Sequence, residues 1–282
     1  MKASQVTDPV AFHGEGPFWD ASRERLLFVD MLAGVVVSLE NGIVARHSIG
    51  SVAAVVRARA SGGYLLAVER GFVLADVDLG PIDVLPEVFS SRELRMNEGG
   101  CDPQGRFYCG SMAYAETPGA GTLYRLDPDL SVHTVLSSVS ISNGLQWSAD
   151  GSRVFYNDSP SGRVDVFDFD GSTAEFRNRR VFAAIPDGGI PDGMAIDSED
   201  GIWVALWGGG QVQHYDAAGH LVGVIELPVT NVTACTFGGT DLSTLYITTS
   251  RLQVAEGTQP LAGSLFSAEV GARGVVPFAF AG

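Results

Sequence analysis

One short sequence motif recurs along the chain, and its recurrence constrains the fold more than any other feature. The clearest copy lies at residues 190–206, where a polar residue and a glycine, Asp192 and Gly193, precede a short apolar run. An Asp-Gly turn at residues 200–201 and a second run containing an aromatic residue complete the motif. Two runs of strand-forming residues on either side of such a turn predict a β-hairpin.

Six copies of this motif can be recognised, starting near residues 16, 54, 99, 144, 193 and 235. The copies are about 38 to 49 residues apart, which is typical of four-stranded propeller blades. Each copy is followed by a further pair of strand-like runs, of which residues 162–167 and 210–215 are examples. The sequence therefore predicts an all-β fold, a six-bladed β-propeller with four-stranded antiparallel blades that occupies residues 1–282 as a single domain.

A closed ring requires that the two ends of the chain meet, because an open sheet edge invites association. We expect the strand-like piece at residues 10–12 to pair with the last blade. The outer strands of that blade are predicted at residues 263–268 and in the run that ends at Phe280. Since a closed propeller hides its sheet edges, we expect a monomer.

Composition narrows the range of partners and locations. The formal net charge is −15 and no cluster of Lys or Arg occurs, so we expect no nucleic-acid partner. The N-terminal residues lack the apolar core of a signal peptide, and no apolar run of about 18 residues occurs, which predicts a cytoplasmic protein without a membrane partner. Cys101, Cys109 and Cys235 lack CxxC spacing, and we expect them to be reduced and buried.

The position just before the glycine of the motif carries the candidate chemistry. Oxygen-bearing side chains occupy it in four blades: Glu15, Asn97 with Glu98, Asn143 and Asp192. Because the first strand of each blade lines the central channel of a propeller, we expect these side chains to meet around its axis, beside Arg95. Two carboxylates together with amide oxygens suit Ca²⁺, Mg²⁺ or Mn²⁺, and Zn²⁺ also uses such sites.

Taken singly, each of these residues is typical of a turn in which the side chain caps its own backbone. Four of them at one repeat position favour a metal site, because converging buried carboxylates without a cation repel each other. Other acidic residues are interpreted as structural. Asp102, Asp150 and Asp197 are assigned to hairpin turns, and Asp30, Asp158 and Glu69 to Asx-type turns that lead into third strands.

Two further residue types are interpreted as packing residues. His13 lies near Glu15 in the sequence and is a candidate for supporting the metal ligands from behind, but we favour a surface or core residue. The tryptophans Trp147, Trp203 and Trp207 are expected to pack between blades, with Trp207 the one candidate for the rim of the site.

Several motifs together resemble those of the senescence marker protein/gluconolactonase (regucalcin-like) family. They are GEGP (14–17), RMNEG (95–99), DPQGRF (102–107), SNGL (142–145), PDGM (191–194) and, towards the C-terminus, residues 230–239 and PLAG (260–263). The resemblance extends over nearly the whole chain. It implies a six-bladed propeller that binds one divalent metal ion.

The resemblance also implies roles for individual residues. Glu15, Asn143 and Asp192 match the positions that bind the metal in the family. Asp192 also matches the position taken as the catalytic acid/base of the lactonases. Arg95 and Asn97 match the positions that contact the sugar lactone.

The sequence departs from the family pattern at two places. The family often has Asp where this chain has Glu98. The acidic position that contacts the substrate is filled by Glu116 only with a shift of one residue, which leaves Tyr114 as the alternative occupant. Both departures concern the identity of the substrate more than the binding of the metal.

The sequence thus predicts hydrolysis of a sugar-derived γ- or δ-lactone to the aldonic acid. In the expected mechanism the metal polarises the lactone carbonyl and Asp192 transfers the proton. Arg95 and Asn97 hold sugar hydroxyls or the developing oxyanion. Two alternatives stay open: hydrolysis of another ester, such as an organophosphate or an aromatic lactone, and a non-catalytic calcium-binding or scaffolding propeller.

Overall fold

The computed structural model describes residues 1–185 and 188–282, which form six four-stranded antiparallel sheets. The chain begins with β1 (Ser4–Gln5), which belongs to the last blade. Blade one consists of β2 (Gly14–Asp20), β3 (Arg25–Asp30), β4 (Val35–Glu40) and β5 (Ile43–Ser48). Blade two consists of β6 (Ala53–Ala58), β7 (Tyr64–Val68), β8 (Phe72–Ala75) and β9 (Pro81–Val84). Blade three consists of β10 (Leu94–Cys101), β11 (Phe107–Ala113), β12 (Gly121–Leu126) and β13 (Val132–Val139).

The second half of the chain repeats this arrangement. Blade four consists of β14 (Ser142–Trp147), β15 (Arg153–Asp158), β16 (Arg163–Asp170) and β17 (Glu175–Ala184). Blade five consists of β18 (Ile190–Ile196), β19 (Ile202–Trp207), β20 (Gln211–Tyr215) and β21 (Leu221–Glu226). Blade six consists of β22 (Val232–Gly238), β23 (Thr244–Thr249), β24 (Phe266–Glu269) and β1. Two short 3₁₀ helices, Met31–Ala33 and Ser159–Ser161, follow β3 and β15.

The prediction of a six-bladed all-β propeller is confirmed. Each copy of the repeat motif forms the inner and second strands of a blade, and its polar turn joins the two strands. The turn aspartates have the predicted role, because Asp102, Asp150 and Asp197 each accept hydrogen bonds from backbone N–H groups of their own turns. The three cysteines are free and buried, as expected.

Ring closure differs in part from the prediction. Residues 10–12 do contact the last blade, since the Val10 and Ala11 N–H groups donate to the Gly263 carbonyl, but the strand that pairs with β24 is β1. The run that ends at Phe280 is not part of blade six, so that prediction was wrong. It pairs with blade two, where the Phe280 N–H donates to the Ala58 carbonyl and the phenyl ring is fully buried in the apolar core.

Aromatic side chains fill the spaces between neighbouring blades. The ring centroid of Trp147 in blade four lies 5.0 Å from that of Tyr108 in blade three. The ring centroid of Trp203 in blade five lies 5.8 Å from that of Phe237 in blade six. These two tryptophans therefore pack as predicted. No helix in the described ranges combines the length and the apolar character needed to cross a membrane.

Candidate active site

A cavity of about 180 Å³ lies where the inner strands of blades one, three, four and five converge. All six predicted site residues line this cavity: Glu15, Arg95, Asn97, Glu116, Asn143 and Asp192. Five of them are on inner strands, and Glu116 is on the loop that joins β11 to β12. The repeat thus brings together residues that are far apart in the sequence, while their chemical roles stay predictions.

A β-bulge in each inner strand explains the direction in which these side chains point. The pairing between the inner and second strands shifts register at the same place in all six blades, for example between Glu15 and Phe18, and between Pro191 and Met194. A bulge leaves one residue unpaired and turns its side chain to a new direction. Asp192 lies within the bulge of its strand, whereas Glu15 and Asn143 pair with Val29 and Asn157 directly before theirs. The bulge thus marks the place on each inner strand where the polar side chain meets the channel.

The glycine of the motif is required because neighbouring inner strands approach closely at the bulge. A Cβ atom on Gly193 would overlap the Ala234 side chain of blade six and lie 2.9 Å from the Ala234 Cα. A Cβ atom on Gly144 would lie 2.9 Å from the Asp192 carbonyl oxygen of blade five. The pairing of a polar residue with a glycine thus reflects bulge geometry together with close packing.

A directed chain of hydrogen bonds runs across blades three, four and five. Arg95 Nη1 donates to Asn97 Oδ1 (2.6 Å), and Asn97 Nδ2 donates to Asn143 Oδ1 (2.9 Å). Asn143 Nδ2 donates to Ser159 Oγ (2.7 Å), whose single proton goes to the Pro191 carbonyl (2.7 Å). Because the Ser159 hydroxyl donates its proton to the Pro191 carbonyl, its oxygen must accept a hydrogen bond from the Asn143 Nδ2 group. The Asn143 Oδ1 atom therefore points away from Ser159.

Glu15 and Asp192 are more than nine-tenths buried in this cavity. Burial and the neighbouring Glu98 carboxylate raise the pKa of Glu15 to about 8. Burial raises the pKa of Asp192 well above its ordinary value, and the nearby Glu15 adds to this effect. The two groups therefore hold protons readily when no cation is bound, and each gains from a positive charge placed between them.

Arg95 supplies positive charge on the same side of the cavity. Its guanidinium is buried, and burial lowers the pKa of this group from its usual high value. Within the described part of the chain its hydrogen bonds all start from Nη1, to Asn97, to the Met96 carbonyl and to the Met31 sulfur. The remaining N–H groups are thus available to a ligand.

His13 and Trp207 form a further wall of the cavity, a role that the sequence did not predict for His13. The His13 ring is buried, its Nδ1 lies 2.9 Å from Ser250 Oγ, and its centroid is 5.9 Å from that of Trp207. Burial and the neighbouring Arg95 lower the pKa of His13 to about 3, so the imidazole is neutral. Trp207 lines the cavity, in agreement with its prediction as the one tryptophan that could lie at the rim of the site.

The prediction that Asp30 and Asp158 form turns into third strands was wrong. Asp30 Oδ1 accepts from the Phe12 and His13 N–H groups (both 3.0 Å), and Asp158 Oδ1 accepts from the Ile141 N–H group (2.9 Å). The 3₁₀ helices that follow the two aspartates receive no side-chain cap from them. Each carboxylate instead fixes the backbone that enters the inner strand, and so positions Glu15 and Asn143.

Glu98 points to a different part of the channel from its neighbour Asn97. It lines a smaller cavity of about 50 Å³ together with Arg57, and its Oε2 atom has no hydrogen-bond partner among the described residues. Burial raises the pKa of Glu98 to about 7. The bulge separates the two consecutive side chains, which the motif alone could not distinguish.

Of the two candidates for the acidic substrate contact, Glu116 lines the cavity. It adopts a φ of 53°, in the left-handed region that non-glycine residues rarely occupy. Ser159 also lines the cavity, and the sequence analysis missed it. The only available signal was its position directly after Asp158 at the end of a second strand.

The donor set of the cavity suits a hard divalent cation. Glu15, Asp192 and the oriented oxygen of Asn143 offer two carboxylates and one amide, the ligands that Ca²⁺, Mg²⁺ and Mn²⁺ prefer. No group of three His, Cys, Asp or Glu side chains suited to a metal occurs in residues 1–185 and 188–282. A metal at this site would therefore depend on Asn143 as its third protein ligand.

Comparison with known proteins agrees with this architecture. A family model described as the SMP-30/Gluconolactonase/LRE-like region matches residues 13–251. Regucalcin from Danio rerio is 37% identical over 280 residues, which are 95% of each chain. A luciferin-regenerating enzyme superposes with a TM-score of 0.91 at 27% identity over 99% of both chains. A calcium-binding regucalcin from Agrobacterium tumefaciens superposes with a TM-score of 0.92 at 24% identity, over 99% of this chain and 97% of the other, and shows the shared fold. The chain therefore belongs to the SMP-30/gluconolactonase/LRE-like family.

Proposed function

We propose that this protein is a lactonase that uses one divalent metal ion to hydrolyse a sugar-derived lactone to the aldonic acid. Membership of a family that includes gluconolactonase supports lactonase-type chemistry. The observation that carries the proposal is one cavity that holds two buried carboxylates, a buried guanidinium and an amide oxygen of fixed orientation.

Arg95 and Asn97 orient the substrate. The unused N–H groups of Arg95 donate to the lactone carbonyl oxygen, on which negative charge develops during attack. A charge-assisted donor in a water-poor cavity stabilises such an oxyanion more than water does. Asn97, whose amide is fixed by Arg95 and Asn143, keeps the guanidinium in place, and Glu116 accepts a hydrogen bond from a sugar hydroxyl.

Asp192 moves the proton. Its carboxylate takes a proton from the attacking water, whose oxygen forms a bond to the carbonyl carbon of the lactone. The bond between that carbon and the ring oxygen then breaks, and Asp192 returns the proton to the leaving ring oxygen. Burial and the neighbouring Glu15 raise the pKa of Asp192, which supports this role, because a more basic carboxylate takes up a proton more readily.

Glu15, Asn143 and Asp192 would hold the metal ion in this proposal. When bound, the ion supplies positive charge that polarises the carbonyl and acidifies water. Glu15 has no proton-transfer role here; it contributes the second carboxylate of the oxygen donor set. Ca²⁺, Mg²⁺, Mn²⁺ and Zn²⁺ are all candidates.

A substrate panel tests the proposed activity. The purified protein, supplied with each of the four ions in turn, is assayed by pH-stat against glucono-, galactono-, xylono- and arabinono-lactone, an aromatic lactone and an organophosphate triester. We expect at least one aldonolactone to be hydrolysed well above its spontaneous rate and faster than the other two classes. Hydrolysis of only the aromatic lactone or the organophosphate would contradict the proposed substrate class.

A non-catalytic calcium-binding protein is the second candidate. The name of the Agrobacterium relative, a calcium-binding protein, and the oxygen-only donor set favour it. The same panel separates the two functions, since a binding protein takes up calcium stoichiometrically and leaves every ester at its spontaneous rate. Arg95 favours the enzyme, because a buried cation beside a calcium site opposes calcium binding unless an anionic or polar ligand is also held.

A further inference from the structure

Tyr114 connects the loop above the cavity to the neighbouring blade. It follows β11 directly, and its hydroxyl donates to Glu69 Oε1 of blade two at 2.7 Å. The Tyr114 N–H group donates to the Glu93 carbonyl (2.9 Å), and the Arg95 guanidinium carbon lies 5.9 Å from the centre of the tyrosine ring. One side chain thus contacts both a candidate substrate-binding residue and a second blade.

Glu69 is held in place from several sides. Its Oε2 atom accepts from Ser51 Oγ (3.1 Å) and from Arg70 Nη1 (2.8 Å). Arg70 is fixed in turn by Glu87, at 2.7 Å. The Glu69 carbonyl accepts from the Met96 N–H group of β10 (2.8 Å), next to Arg95 in the chain. Tyr114 therefore meets an acceptor that is already ordered.

The hydrogen bond between these residues is charge-assisted. The hydroxyl of Tyr114 lowers the pKa of Glu69, whereas burial, together with the bond to Glu69, raises the pKa of Tyr114 to about 12. At neutral pH the donor keeps its proton and the acceptor is ionised. Such a bond is shorter and stronger than one between neutral groups.

The Glu69 carboxylate accepts hydrogen bonds from different kinds of donor than the carboxylates at the equivalent positions of the repeat. Asp30 and Asp158, which also follow second strands, bond to backbone N–H groups that lead into their own inner strands. The longer side chain of Glu69 instead receives two side-chain hydroxyls, from Ser51 and from Tyr114 of another blade. At the end of the second strand of blade two, the carboxylate thus bridges blades two and three.

The loop that Tyr114 anchors carries Glu116 into the cavity. Glu116 is two residues further on, has a positive φ and is tied to the loop by a bond from its N–H group to the Ala113 carbonyl (2.9 Å). A non-glycine residue in this backbone conformation persists only when its surroundings hold it. The bond from Tyr114 to Glu69 ties this loop to blade two, two residues before Glu116.

We propose that Tyr114 and Glu69 form a clasp between blades two and three, in which Tyr114 is a positioning residue for Arg95 and Glu116. The inference rests on the proposed function, because Arg95 and Glu116 are its substrate contacts. With the clasp closed, both polar groups face a substrate that carries a carbonyl and a hydroxyl on one ring. The clasp therefore sets affinity for hydroxylated lactones rather than the rate of bond breaking.

Tyr114→Phe is the sharpest test, because it removes the hydroxyl and keeps the ring beneath Arg95. We expect hydrogen exchange of the amides in residues 114–120 to accelerate about 10-fold or more, the equivalent of one charge-assisted hydrogen bond. KM for the preferred aldonolactone should rise by a similar factor, while kcat changes by less than about twofold. Glu69→Gln should have a smaller effect in the same direction, and combining it with Tyr114→Phe should add little.

Glu175→Gln is the control, since it removes an exposed carboxylate that is bonded to an arginine, Arg177, within blade four and is not part of the network around Glu69. It should leave both loop exchange and KM near the values of the unmodified protein. Unchanged exchange and unchanged KM in Tyr114→Phe would overturn the clasp. Faster exchange in a protein that hydrolyses no lactone would keep the clasp as a structural element and refute both the proposed activity and the positioning role.

Discussion

At the level of single residues, the candidate site depends on the direction of its hydrogen bonds as much as on its carboxylates. An asparagine side chain offers an oxygen or a nitrogen, and only the oxygen can bind a metal cation. Ser159 and Asn97 fix the choice from opposite ends: Ser159 donates to Pro191 and must therefore accept from the Asn143 nitrogen, and the Asn97 nitrogen donates to the Asn143 oxygen. A serine with no direct role in the chemistry thus helps to determine whether Asn143 can be a ligand.

Ser159→Ala should consequently weaken metal binding. We expect affinity for the preferred ion to fall about 10- to 100-fold, the usual effect of removing a group that orients a ligand. Isothermal titration calorimetry on the metal-free protein measures this directly and does not require activity.

Ser148→Ala is a suitable control for that experiment. Ser148 is also a fully buried serine of blade four, but its hydroxyl bonds to Asp150 in a hairpin turn. We expect this variant to lose stability and to bind the ion as tightly as the unmodified protein. Equal affinities in the two variants would contradict the role assigned to Ser159.

At the level of elements, the bulged inner strand is the unit that the chain repeats. The polar residue lies at or directly before the bulge, the glycine makes the close contact with the next blade, and the apolar run is the buried part of the strand. The sequence predicted the strand and the channel-facing position of the polar residue, because periodicity and turn residues are local signals. It could not predict that Glu98 and Asn97 point to different cavities, since a one-residue register shift is set by pairing with β11.

Gly193→Ala tests the close approach at the bulge. The added methyl group would meet the Ala234 side chain and lie 3.0 Å from the Thr233 carbonyl, and backbone cannot move aside easily. We expect the free energy of unfolding, measured by denaturant titration, to fall by about 1 to 3 kcal/mol.

Gly223→Ala provides the comparison, because its new methyl group would have only ordinary contacts, 3.5 Å from the His214 Cβ. That strand is an outer one, and the change in stability should stay within about 0.5 kcal/mol. A Gly193→Ala variant as stable as Gly223→Ala would show that the inner strands do not need the glycine.

At the level of the whole molecule, the six-fold repeat could be predicted from the sequence, and the closure of the ring could be predicted only in part. Interblade packing follows from strand-forming apolar residues at fixed intervals, a property that each blade carries by itself. The partners of the chain ends depend instead on single side chains, such as Phe280, which is buried in blade two. The roles of Asp30 and Asp158 escaped prediction for the same reason, since their partners precede them by 17 or 18 residues.

The ring also explains why the proposed chemistry needs the complete propeller. Glu15, Asn143 and Asp192 come from three blades, and the hydrogen bonds that orient them involve a fourth through Arg95 and Asn97. No single blade contains a site. Metal binding and hydrolysis should therefore appear only in the fully folded chain.

The metal dependence of lactone hydrolysis tests the proposed function most directly. The protein is stripped with a chelator, freed of it, and assayed by pH-stat on the preferred aldonolactone before and after addition of Ca²⁺, Mg²⁺, Mn²⁺ or Zn²⁺. We predict that activity falls to the spontaneous rate on stripping and returns with at least one ion in a one-to-one titration. Full activity in protein shown by elemental analysis to be free of metal would contradict the proposed role of Glu15, Asn143 and Asp192.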